Sequence, residues 1–117
     1  MSTEGWIGVD LDGTLAQDSR KGPAYIGAPI PAMVERVKQW LKDGKKVKIF
    51  TARAYPGGRI GEKKLEEVII AIRVWCREHI GEVLPITYAK DYGMIELWDD
   101  RAVQIIPNTG VRADGRK

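Results

Sequence analysis

Short β-prone apolar runs alternate along this chain with stretches in which apolar residues recur every three to four positions, and few folds accept that order. Trp6 to Val9 reads as a buried strand that stops at the polar turn Asp10-Leu11-Asp12-Gly13-Thr14. Pro31 suits a first helical position, and Met33, Val34, Val37, Trp40 and Leu41 follow at helical spacing until Gly44 supplies a stop. Val47 to Phe50 is a second strand, closed by Thr51-Ala52-Arg53 and a Pro/Gly loop from Tyr55 to Gly61. Leu65, Val68, Ile69, Ile72, Trp75 and Cys76 make a second helical stripe that ends near Ile80, with Gly81 just beyond. Leu84 to Tyr88, Ile95 to Trp98 and Val103 to Ile106 each have the length of a strand.

Strands that alternate with helices imply right-handed crossovers. The expectation is therefore an α/β fold: a three-layer, doubly wound, mainly parallel five-stranded sheet covered on both faces. At 117 residues the chain is long enough for one core, so residues 1–111 are expected to form a single domain, with 112–117 as a flexible basic tail. No stretch is long and apolar enough to span a membrane, and no basic-then-apolar leader precedes Trp6. The lone Cys76 lies on an apolar stripe, which favours a buried, inert thiol in a reducing, cytoplasmic setting. A net charge of +3, with its basic residues spread out, allows an anionic substrate without implying a dedicated nucleic-acid binder.

Chemically potent residues stand where several of these strands stop. Strand one ends in Asp10 and Asp12, strand two in Thr51, the third near Lys90, and the fourth in Asp99 and Asp100. In a parallel sheet those positions meet at the carboxyl edge, where ligands bind in open α/β folds. Carboxylates gathered there repel one another by several kcal/mol at intermediate dielectric, and a divalent cation removes that penalty. An all-oxygen ligand set points to Mg²⁺ rather than zinc, because one His and one Cys offer no zinc spacing. Taken singly, each element has a structural explanation. Asp-x-Asp-Gly is often a solvated turn, a strand-end Thr is usually structural, and an Asp-Asp pair frequently caps a turn. Their joint placement favours a site. A calcium loop starting at Asp10 fails on register, and Gly57 to Lys64 has the wrong spacing for a phosphate-binding loop.

Gly8-Val9-Asp10-Leu11-Asp12-Gly13-Thr14-Leu15 resembles the signature of the haloacid dehalogenase-like superfamily, most of whose members are phosphatases. Lys48 to Arg53 looks like its second motif and Ile95 to Ala102 like its fourth, in the correct order. The resemblance implies that Asp10 is a nucleophile forming an aspartyl-phosphate and that Asp12 is the acid and base. It also implies that Thr51 and a lysine bind the transferring oxygens, while Gly13, Thr14, Ala52 and Arg53 hold substrate. Mg²⁺ would be held by Asp10, the Asp12 carbonyl and Asp99, with Asp100 as a direct or indirect ligand.

Two departures from the family pattern stand out. Lys90 fits the third motif in order, but eight residues separate it from Asp99 although the corresponding strands lie about 14 Å apart, so Lys63 or Lys64 are substitutes. The link is also too short for the usual helix. Neither Leu15 to Pro31 nor Ala54 to Gly61 has room for a cap domain, so the site is expected to be open. Specificity then comes from these loops, with Tyr25, Arg53 and Arg59 as candidates, from a partner subunit in an oligomer, or from a large substrate. The expected activity is hydrolysis of a small phosphorylated metabolite or nucleotide. A looser similarity to the phosphatase half of polynucleotide kinase/phosphatase enzymes keeps a nucleic-acid end-phosphate open as substrate. A catalytically silent regulatory domain is the remaining alternative.

Overall fold

The computed structural model describes residues 5–58 and 61–117. The chain runs β1 (Trp6–Asp10), α1 (Pro31–Lys42), β2 (Lys46–Phe50), a 3-10 turn (Ala52–Ala54), α2 (Glu62–His79), β3 (Ile86–Thr87) and β4 (Met94–Trp98). The four strands form one parallel sheet in the order β3-β2-β1-β4. No helix among the described residues is long and apolar enough to cross a membrane.

Each helix forms where its apolar spacing and end residues require it. Pro31 opens α1, whose missing amide costs nothing in the first turn, and Met33, Val34, Val37 and Trp40 form its buried stripe. Gly44, at φ 83°, ends it by taking a backbone conformation that a residue with a Cβ resists. α2 buries Val68, Ile72, Trp75 and Cys76 and stops before Gly81, at φ 101°. Burial pushes the Cys76 thiol above its ordinary range, so it stays protonated and inert.

Both helices lie on one face of the sheet. Ile7 and Val9 of β1 are register partners of Val47 and Ile49 of β2, so these four share a face. They form a single core with the buried stripes of α1 and α2. The cause is topological: β1, β2 and β3 step across the sheet in one direction, and right-handed crossovers then place both helices on the same side. β4 contributes Trp98 to that side, edge-on to Trp40 at 5.1 Å, with the Arg36 guanidinium 4.9 Å over its ring. On the opposite face Trp6 is covered without any helix, by Lys48 Nζ 4.5 Å above its ring and by Asp91, which accepts from Trp6 Nε1 at 2.9 Å.

The sheet therefore has four strands where five were expected, and the described fold has two layers rather than three. Only residues 88–93 join β3 to β4, and a crossover helix needs a dozen or more. The fifth run, Val103 to Ile106, leaves the sheet because Asp99 accepts from the amides of Arg101 and Ala102 at 2.7 and 3.2 Å and turns the chain away from β4. Residues 102–117 instead make a small arm. Ile105 bridges Arg112 antiparallel, Ile106 N–H donates to Val111 at 2.8 Å, and Ala113 N–H donates to Gln104 at 2.8 Å. Of residues 112–117, read from sequence as a flexible basic tail, Arg112 and Ala113 run back along Gln104 and Ile105 within this arm.

Candidate functional site

The segment after β1 folds as it does because alternate residues have opposite solvation needs. Leu11, Leu15 and Ala16 are fully buried and draw the segment onto the core. Their burial is compatible with one tight turn, closed by Leu15 and Ala16 amides donating to the Leu11 carbonyl at 3.0 and 2.8 Å and by Gly13 donating to Ala16 at 2.7 Å. Asp10, Asp12 and Thr14 are left on the cleft side. The loop then returns to α1 through a bridge between Ala16 and Pro29, and Trp75 Nε1 pins it to α2 by donating to the Gly27 carbonyl at 2.9 Å.

Asp10, Asp99 and Asp100 each present a carboxylate oxygen, and these oxygens lie within 4.8 Å of one another. The β1–β4 pairing brings them together, since Asp10 ends one strand and Asp99 and Asp100 follow its neighbour. The Thr14 hydroxyl lies 3.3 Å from both Asp10 Oδ2 and Asp100 Oδ1, within reach of donating to either. Burial, a hydrogen bond shared with Asp100 and the charges of Asp99 and Asp100 push the Asp10 carboxyl up to about 7, against the lowering effect of Thr14. Gly13 makes the cluster possible. A Cβ there would sit 2.6 Å from Asp100 Oδ2, and φ is +87°. The group that approaches Gly13 is thus the Asp100 carboxylate, where the sequence suggested a phosphate.

Asp12 is held separately. Arg53 grips it with a two-pronged pair, Nε to Oδ2 and Nη2 to Oδ1, each at 2.8 Å. Arg53 Nη1 also donates to the carbonyls of Gly22 and Pro23 at 3.1 and 2.6 Å, tying the loop after β1 to the end of β2. Such a fork fits a carboxylate in a way that a lysine does not. Arg53 is therefore the partner that orients Asp12, rather than a free cation awaiting substrate. Thr51 is 2% exposed, and its hydroxyl accepts from the Arg53 amide at 3.1 Å. Together Asp10, Asp12, Thr51, Ala52, Arg53 and Asp99 line a cleft of about 300 Å³ at the carboxyl edge of the sheet.

Asp18, Phe50 and Arg101 also line that cleft and were not singled out from the sequence. Arg101 had a signal, because it directly follows the Asp99-Asp100 pair; Asp18 had none, because only the return of the loop brings it in. Lys90 does not line the cleft. It is exposed and adjoins Asp91, whose carboxylate is bound to Trp6 at the start of β1, the other end of the strand from Asp10. The chain must run down the sheet within residues 88–93, and that carries Lys90 away from the carboxyl edge. Lys64 pairs loosely with Glu67 at 4.0 Å and Lys63 lies in a shallow surface depression on α2, so neither substitute lines the cleft. Tyr25 is exposed, with Lys21 Nζ 5.1 Å over its ring, and Arg59 lies outside the described residues.

The three clustered carboxylates suit a hard divalent cation. They are all oxygen donors, they converge, and burial together with the charges of Asp99 and Asp100 raises Asp10, a penalty on its charged form that a cation would relieve.

No protein-family model matches the chain, and no curated protein does. Its structure is similar to a solved structure from Bacteroides thetaiotaomicron, described as a conserved protein coded by a locus of that organism. The TM-score is 0.57 and the identity 26%, over 88% of this chain and 81% of the other.

Proposed function

We propose that this chain is a Mg²⁺-dependent phosphomonoesterase whose nucleophile is the Asp10 carboxylate. The observation that carries this reading is the convergence of Asp10, Asp99 and Asp100 at one sheet edge, with Asp12 held beside them in the same cleft. In the first step an Asp10 oxygen attacks phosphorus, the ester P–O bond breaks, and the leaving oxygen takes a proton from the Asp12 carboxyl. In the second, Asp12 removes a proton from water as that water attacks phosphorus, and inorganic phosphate leaves the regenerated Asp10. The Thr51 hydroxyl and the Arg101 side chain are the groups in the cleft that bind phosphoryl oxygens, in place of the absent lysine. Asp10, Asp99 and the Asp12 carbonyl would hold Mg²⁺, with Asp100 beside them, and the ion supplies neutralising charge to the transferring phosphoryl group. A five-stranded haloacid dehalogenase-like sheet, with its last strand supplied from outside the four described here, is part of the same proposal.

The cleft has no cap over it among the described residues, because residues 11–30 carry only bridges and turns. A small phosphorylated metabolite or nucleotide fits its volume; a nucleic-acid end-phosphate is the second reading, favoured by the openness of the cleft and by Arg101 at its edge. The test is release of phosphate from p-nitrophenyl phosphate, expected to require Mg²⁺ and to vanish in Asp10→Ala. Robust turnover by that variant would overturn the proposal. With end-phosphorylated oligonucleotides, a steep loss of activity as salt rises would favour the polymer substrate, and a shallow one the small molecule.

A further inference from the structure

The outer edge of β4 and the C-terminal arm are each left incomplete, and each has what the other lacks. β4 is an edge strand in a parallel sheet, and among the described residues it pairs with β1 alone. Its residues Ile95, at 66% exposure, and Leu97 face a groove of about 560 Å³ whose far wall is Ala102, Val103 and Gln104. No backbone hydrogen bond crosses that groove among the described residues. An open apolar edge of this kind is a template for another strand.

The arm carries the strand. Val103, Ile105 and Ile106 are 48%, 42% and 44% exposed, in a β-prone run whose only strand-like pairing among the described residues is with the short return segment at Val111 to Ala113. A two-stranded hairpin by itself is marginally stable in water.

The arm cannot close the edge of its own sheet. Parallel pairing with β4 requires the chain to return the length of that five-residue strand, about 16 Å, and the intervening residues 99–102 reach only about 14 Å. Antiparallel pairing needs a tight hairpin there. Asp99 and Asp100 are instead committed to the carboxylate cluster with Asp10, and the Asp99 carboxylate fixes the turn by accepting from the amides of Arg101 and Ala102. A second copy has no such restriction. The charges agree: the one charged residue of β4 is Glu96, while the arm, in which Arg112 is paired with Asp114 at 3.0 Å, keeps Arg116 and Lys117 in excess. Reciprocal exchange covers two edges at once, so a dimer holds two copies of the same contact.

We infer that two copies of this chain form a dimer by exchanging arms, the run Val103 to Ile106 of each adding a fifth strand to the β4 edge of the other. The test is molecular mass by light scattering and sedimentation across a range of concentrations. The full chain is expected to have twice the monomer mass. Ile105→Asp in the arm and Ile95→Asp at the edge, both exposed and outside the core, are each expected to give folded monomers with unchanged circular dichroism. Mixed together, these two variants are expected to regain a dimer weaker than that of the full chain, because one of the two exchanges, the intact arm of one on the intact edge of the other, is restored. A monomeric full chain at all concentrations would overturn the inference. So would a dimer that survives both substitutions, or folded variants that fail to complement, since arm-to-arm and edge-to-edge contacts cannot be restored by mixing. If Ile95→Asp does not fold, the milder Ile95→Ser replaces it in the same mixing measurement.

Discussion

At the scale of single residues, Gly13 and Arg53 show how much of the site depends on groups that do no chemistry. Gly13→Ala forces a Cβ into the space of the Asp100 carboxylate and strains a left-handed backbone, at about 1–2 kcal/mol for the backbone alone. The expected outcome is a folded protein with a lowered melting temperature and a Mg²⁺ requirement shifted to higher concentration; an unchanged Mg²⁺ titration would show that Asp100 does not serve the ion. Arg53→Lys removes the two-pronged hold on Asp12 while keeping a positive charge. Because Asp12 loses orientation rather than substrate contact, kcat is expected to fall by roughly 10²-fold with KM little changed, and lysine should rescue little compared with alanine. A large rise in KM at constant kcat would mean instead that Arg53 binds the phosphate. Asp10, Asp12, Thr51, Asp99 and Asp100 were legible in the sequence because each stands at the end of an apolar run. The pairing of Asp12 with Arg53 was not, because it joins residues 41 positions apart through two loops.

At the scale of elements, the helices and the first two strands could be read from periodicity because their apolar residues meet a single core. Ile72 is a clear case: it was placed on the inner stripe of α2 and is completely buried. Ile72→Ala is expected to cost about 2–5 kcal/mol, measured as a shift in the urea midpoint with little change in slope. A loss below about 1 kcal/mol would mean that the core relaxes around α2. The run Val103 to Ile106 misled for a physical reason. Its β-propensity is real, but a strand also needs an edge it can reach, and the Asp99 turn denies it the edge of its own sheet. Lys90 misled in a related way. Its order in the chain suited the site, whereas the short link from β3 to β4 sets its position.

At the scale of the whole molecule, the carboxylate cluster sets stability against charge, and pH exposes the conflict. The Asp10 carboxyl is raised from 3.8 to about 7 in the folded chain. Between those values the folded, metal-free protein holds a proton that the unfolded chain has released. Stability from this group is therefore fully present below the unfolded value and is lost as pH rises through about 7. Asp10→Asn removes the titration, so the melting temperature of the metal-free protein is expected to drop relative to that variant between about pH 5 and about pH 8. On the proposed reading Mg²⁺ would compete with that same proton and bind the folded state, so its stabilising effect should grow over the same interval. At about 100 times its dissociation constant the ion would contribute about 2.7 kcal/mol, about ten degrees for a chain of this size. Thermal melts with and without Mg²⁺ at both pH values check this. An equal Mg²⁺ shift at both, or one that persists in Asp10→Asn, would separate the ion from Asp10 and remove the physical basis for placing it beside the nucleophile.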